Sequence, residues 1–144
     1  MKLIGLLVFA ALIAVSSACA AEEIAPLAIR NASIGGGALN QYTPGVEGGT
    51  GLNNIGLLIR TWGSVTYVDP AHAFFYIDDG ASRTDGSGHV GVRIACDNLA
   101  PGNSITPPAE DSYAIITGIS STILIGGKVQ PNVRPRRQAD IQVI

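Results

Sequence analysis

The chain contains two histidines, His72 and His89, the side chains best suited to proton transfer or metal ligation near neutral pH. Neither stands in a pattern that would complete such a site. His72 follows Asp69-Pro70 in a turn, and His89 opens a strand-like run. The G-x-S-x-G, H-E-x-x-H and paired-cysteine metal signatures are missing. A Ser–His–Asp set assembled in space stays open, because such triads are defined by geometry and not by order in the chain. Asp78, Asp79 and Asp85 lie among glycines and serines and could gather calcium. Their spacing lacks the alternating acids and closing glutamate of an EF-hand loop, and ordinary turn chemistry accounts for them. The reading is non-catalytic, with no metal and no cofactor.

Recognition chemistry is better represented. Phe74, Tyr76, His89 and Arg93, joined by Arg60 and Trp62, fall on one alternating set of strand-like segments. Aromatic faces in that arrangement can stack on bases or sugars, and guanidinium groups can meet phosphate or carboxylate. The competing reading has Trp62 and Phe74 covering an apolar flank beneath the N-terminal arm, with Arg60 and Arg93 solvated nearby. Arg134, Arg136 and Arg137, with Lys128 upstream, form the one basic cluster. It could grip an anion, or it could blunt an edge strand against aggregation.

Three consecutive strands must position the aromatic set. Gly56 to Asp69 alternates, with Leu57, Ile59, Thr61, Gly63, Val65 and Tyr67 on one side. Leu58, Arg60, Trp62, Ser64, Thr66 and Val68 take the other. A bend or bulge is expected near Gly63, where the missing Cβ lets the backbone coil. Asp69-Pro70 ends this strand. Ala73 to Asp78 is the second, with Phe75 and Ile77 on one face and Phe74 and Tyr76 on the other. Asp79-Gly80 opens a turn that runs to Gly88, and His89 to Cys96 is the third strand, Val90, Val92, Ile94 and Cys96 facing inward. Ser112 to Ile125 reads as a fourth strand, Gly126-Gly127 as a hairpin turn, and Val129 to Val133 as a fifth that Pro131 and Pro135 consign to an edge or bulge. Asp140 to Ile144 alternates once more.

The outer parts of the chain set its expected location. Met1-Lys2, the apolar run Leu3 to Val15 and Ala18-Cys19-Ala20 have the form of a secretory signal peptide, residues 1–20. The rival is a lipoprotein signal anchored through Cys19, although Ser16 stands where leucine is usual. Export to the periplasm or beyond follows from either. Removing Lys2 leaves eight basic residues against eleven acids, a net charge of −3 that argues against general binding to nucleic acid or anionic lipid. Only Cys96 would then remain, an inward-facing thiol with no internal partner. Residues 21–54 form a glycine-rich arm in which Leu27, Ile29, Ile34, Leu39, Tyr42 and Val46 could pack onto the domain. No stretch of the mature chain is expected to cross a membrane. Asn31-Ala32-Ser33 matches a glycosylation acceptor, a triplet that arises often by chance.

The segments WGSVTYVD, FFYIDDG, GVRIAC, SYAIITGIS and ADIQVI, spanning about residues 55–144, resemble the OB-fold of secreted bacterial proteins. They are similar to the OB-type modules attached to extracellular nucleases and to small periplasmic OB-fold proteins. The resemblance implies an all-β fold: a small five-stranded Greek-key barrel preceded by the irregular arm and the signal peptide. It also implies a ligand face on the second and third strands, suited to a glycan or single-stranded nucleic acid. OB barrels carry many unrelated ligands, so a structural domain that docks another protein stays open.

Overall fold

The structure, a computed structural model, describes residues 24–144. The expected signal peptide, its cleavage site and Cys19 lie outside the described residues. The described chain is mostly β, with seven strands in one sheet. These are β1 (Leu27–Ala28), β2 (Leu58–Asp69), β3 (Phe74–Asp78), β4 (Val92–Ala95), β5 (Tyr113–Ile125), β6 (Lys128–Arg134) and β7 (Ile141–Val143). Two single 3-10 turns, Asn31–Ser33 and Gln138–Asp140, precede β2 and β7. Among the described residues no helix is long and apolar enough to cross a membrane.

The long strand β2 uses both of its edges. Its first half, Leu58 to Ser64, pairs antiparallel with β5, and its second half, Ser64 to Asp69, pairs antiparallel with β3 on the opposite edge. From β3 the ladder passes antiparallel to β4, parallel to β6, and antiparallel to β5. The sheet therefore curls into a partial ring. Its narrowest seam is β4–β6, where only Arg93↔Asn132 and Ile94↔Val133 face each other. The expected count of five strands is corrected to seven: β1 adds to β2 in parallel, and β7 adds antiparallel to β5.

Alternation fills the interior. Ile59, Val65, Phe75, Ile77, Val92, Ile94, Ala114, Ile116 and Val133 are buried together, with Cys96 beside them. Burial pushes the Cys96 thiol up to about 12, so it stays protonated and unreactive at neutral pH. The expected edge placement of the fifth strand is not observed. β6 runs through Pro131 unbroken, because Pro131 faces Thr122 of β5 and the parallel seam with β4 begins only at Asn132. The third strand is shorter than expected. Gly91 adopts φ +111° and Val90 only bridges Thr84, so pairing starts at Val92. Gly126 and Gly127, at φ +58° and +77°, make the two-residue β5–β6 turn that a tight hairpin requires.

The bend in β2 has two parts. A Cβ on Gly63 would lie 2.5 Å from the Asp78 backbone carbonyl, so glycine is needed there for β2 and β3 to approach. The bulge itself comes three residues later, at Thr66. Val65 faces Ile77 and Tyr67 faces Tyr76, leaving Thr66 as the extra residue. Strict alternation would have turned Tyr67 inward with Val65. The bulge instead puts it on the outer face, level with Tyr76, which corrects the expected inward placement.

The arm is tied down by Asn31, which is fully buried. Its amide nitrogen donates to Thr61 Oγ1 at 2.8 Å and to the Trp62 carbonyl at 3.2 Å. Its Oδ1 accepts from the Asp79 backbone N–H at 3.1 Å, while its own N–H donates to Asp79 Oδ2 at 2.8 Å. Ile34 enters the core, where Ile29 packs partly against the cluster, and Val46 is buried. Leu27, Leu39 and Tyr42 point out instead. Asn31 has no amide to offer a glycosylating enzyme once folded, so the Asn-Ala-Ser triplet should stay unmodified on the native chain.

Candidate aromatic recognition face

The pairing registers place Tyr67, Tyr76 and Arg93 in one row across β2, β3 and β4. Phe74 stands one outward position along β3, and His89 reaches the row from the loop before β4. The rings form a continuous group. Tyr67 and His89 stack at 3.6 Å between centroids, nearly parallel at 14°. Tyr76 lies 5.2 Å from His89, and Phe74 meets Tyr76 edge-on at 6.0 Å. The Arg93 guanidinium carbon sits 4.1 Å from the centre of the Phe74 ring, a cation–π arrangement. His72 adds a ring 6.5 Å from Phe74, held in place by its Nδ1 contact of 2.8 Å with Asp69 Oδ2. That contact, helped by backbone N–H donors from the same turn, draws the Asp69 carboxyl below its ordinary range.

Of the six residues expected on this face, the structure brings together Phe74, Tyr76, His89 and Arg93. Tyr76 has a different task from the one expected. It is only 1% exposed, covered by its neighbours and by the loop between β3 and β4. Its hydroxyl donates to Asp85 Oδ2 at 2.7 Å and lies 3.2 Å from Ser87 Oγ, so it anchors the loop and supports the exposed rings. Burial pushes that phenol up to about 12. Trp62 is half-buried five residues before Tyr67, where β2 faces Ile115 of β5 and not β3. Arg60 is further away still, opposite Thr117, whose Oγ1 accepts from its Nε at 3.2 Å. Tyr67 and His72 are the members that alternation missed. The first depends on the bulge, and the second on a turn that no strand period describes.

The three aspartates of the β3–β4 turn are occupied as turn and anchor groups. Asp78 Oδ1 accepts from the Ser82 N–H, Asp79 from Ala81 and Asn31, and Asp85 from Tyr76 and Ser87. In the basic cluster, Arg134 Nη2 donates to the Asp97 carbonyl at 2.8 Å. Arg136 makes a two-point contact with Asp140, Nε to Oδ2 and Nη2 to Oδ1, both at 2.9 Å. Arg137 Nε is 4.0 Å from the same carboxylate.

Burial opposes the charge on Asp85 and Asp140. Hydrogen bonds from Ser87 and Tyr76 on the first, and from Arg136 on the second, outweigh it and hold both carboxyls below the ordinary range. Each folded-state pKa is thus depressed relative to an unfolded value of about 3.9. Their stabilisation is complete above that value and is lost as pH falls through the folded pKa. Urea midpoints should therefore be flat from about pH 7 to pH 5 and fall below about pH 4. Asp140→Asn should reduce the steepness of that fall, which a urea series at each pH would measure.

No protein-family model, curated protein or solved structure matches the chain.

Proposed function

We propose that the protein is an exported, non-catalytic OB-type binding module that takes an extended glycan across the outer face of β2, β3 and β4. The order of pairings supports the fold reading. β2–β3–β4 form an antiparallel meander, β4 pairs parallel with β6, and β5 returns antiparallel to β2, a Greek-key closure of the OB kind. On this reading β1 and β7 are additions to the five core strands.

The carrying observation is the group of Tyr67, Phe74 and His89 rings, half-exposed and side by side, with Arg93 fixed over Phe74. Apolar sugar faces stack on such a platform, while imidazole and guanidinium N–H groups reach hydroxyls at its rim. A glycan fits better than single-stranded nucleic acid. The face offers one guanidinium, already engaged with a ring, and Asp69 and Asp85 stand beside it. Phosphate chains need several free cations. A glycan array probed with the chain from Ala21 onward tests the reading. Wild type should bind one glycan class, and Tyr67→Ala/Phe74→Ala should weaken it by about tenfold or more while remaining folded. Retention of an oligonucleotide instead would replace glycan with nucleic acid, and no retention by folded wild type would remove the proposal.

One observation favours a second reading, a structural domain that docks another protein through the arm. Leu39, Tyr42 and Leu52 are 69%, 85% and 88% exposed in one glycine-rich segment, more apolar surface than a solvated loop requires. Changing all three to serine would abolish such docking and leave glycan binding intact.

A further inference from the structure

Away from the aromatic face, three guanidinium groups from two distant parts of the chain line one groove of about 650 Å³: Arg60 from β2, and the neighbours Arg136 and Arg137 from the turn before β7. We infer that this groove is a second binding site, for an organic oxyanion (a carboxylate or phosphate) attached to a small apolar group.

Its volume lies within the usual range for small-molecule sites. Among the described lining residues the acidic side chain is Asp140, already engaged with Arg136, and Arg60 and Arg137 line the same groove. Two of the three are already positioned. Arg136 is fixed by its two-point contact with Asp140, and Arg60 by Thr117 Oγ1. Little side-chain entropy would therefore be lost when an anion arrives. Arg137, 59% exposed at its side chain and 4.0 Å from Asp140, is placed to turn towards a bound anion. Leu58, Ile119 and Ile24 supply the apolar wall, which an inorganic anion would leave uncovered. Asp140, itself buried, fixes the direction of the Arg136 guanidinium at the groove, although that side chain stays half exposed.

Phenyl phosphate and inorganic phosphate are suitable probes, titrated into the chain from Ala21 onward by calorimetry with amide chemical shifts as a map. Phenyl phosphate should bind saturably and more tightly than inorganic phosphate, with shifts centred on Arg60 and Arg137 and with affinity falling as salt is raised. Arg60→Gln/Arg137→Gln leaves the Arg136–Asp140 pair intact and should weaken binding by about tenfold or more. Arg30→Gln/Lys128→Gln removes the same charge elsewhere and should keep the affinity within about twofold. The inference is overturned by a folded wild type that shows no saturable binding at about 10 mM phenyl phosphate, well above the roughly 1 mM that a weak site requires. Equal losses in the two double variants would overturn it as well, since they would reduce the effect to net charge.

Discussion

Asn31→Ala should destabilise the protein by about 3 kcal/mol, a large effect for one polar side chain. The residue is fully buried, and its side chain answers three groups at once: Thr61 Oγ1, the Trp62 carbonyl and the Asp79 N–H. Alanine removes all three contacts and strands the partners in a buried site. Each stranded buried group costs about 1–3 kcal/mol, and partial relaxation of the arm offsets part of the sum. Asn31→Asp keeps the shape and the acceptor but loses the two donations, and adds a charge next to Asp79, so it should not rescue. Urea denaturation gives the free energy. Limited proteolysis gives the location, since residues 24–54 should become cleavable before the sheet does. A loss below about 1 kcal/mol would mean that the arm is held by Ile34 and Val46 packing and not by this network.

Gly63→Ala should cost about 2–3 kcal/mol by overpacking. The added Cβ would stand 2.5 Å from the carbonyl carbon and oxygen of Asp78, both backbone atoms that no rotamer change can move. Relief requires β2 and β3 to separate where their pairing begins, at Ser64↔Asp78. The bulge that turns Tyr67 outward lies just beyond. The same variant should therefore perturb the Tyr67–His89 stack, visible as altered ring-proton shifts and weaker glycan binding. Gly80→Ala makes a useful contrast. Nothing lies within 4 Å of its added Cβ, and its cost comes from the positive φ of +94° alone.

Much of the sheet is legible in the chain because alternation is strict wherever one face is buried. Phe75 and Ile77, Ala114 and Ile116, and Val92 and Ile94 take the interior as their spacing demands. The pattern fails where the backbone departs from a two-residue period. Val-Thr-Tyr-Val carries no mark that Thr66 is the extra residue, so Tyr67 reads as inward and an essential ring of the candidate face is missed. The arm has no period at all. Ile34 and Val46 are buried while Leu39 and Tyr42 are not, and that choice is made by tertiary fit among close-packed glycines. Convergence is the hardest property to read. Arg60 lies two residues before Trp62 and on the same alternating set, yet it shares a groove with Arg136 and Arg137, because β2 meets β5 there and the chain returns beside β5 at its end.

Amide chemical-shift mapping of the chain against the glycan selected by the array tests the central proposal most directly. Saturable shifts should centre on Tyr67, Phe74, His89 and Arg93, with the Arg60–Arg137 groove and the segment from Leu39 to Leu52 left unchanged. Shifts centred on that groove or that segment, with the aromatic face silent, would contradict the assignment of the outer face of β2, β3 and β4 as the glycan site.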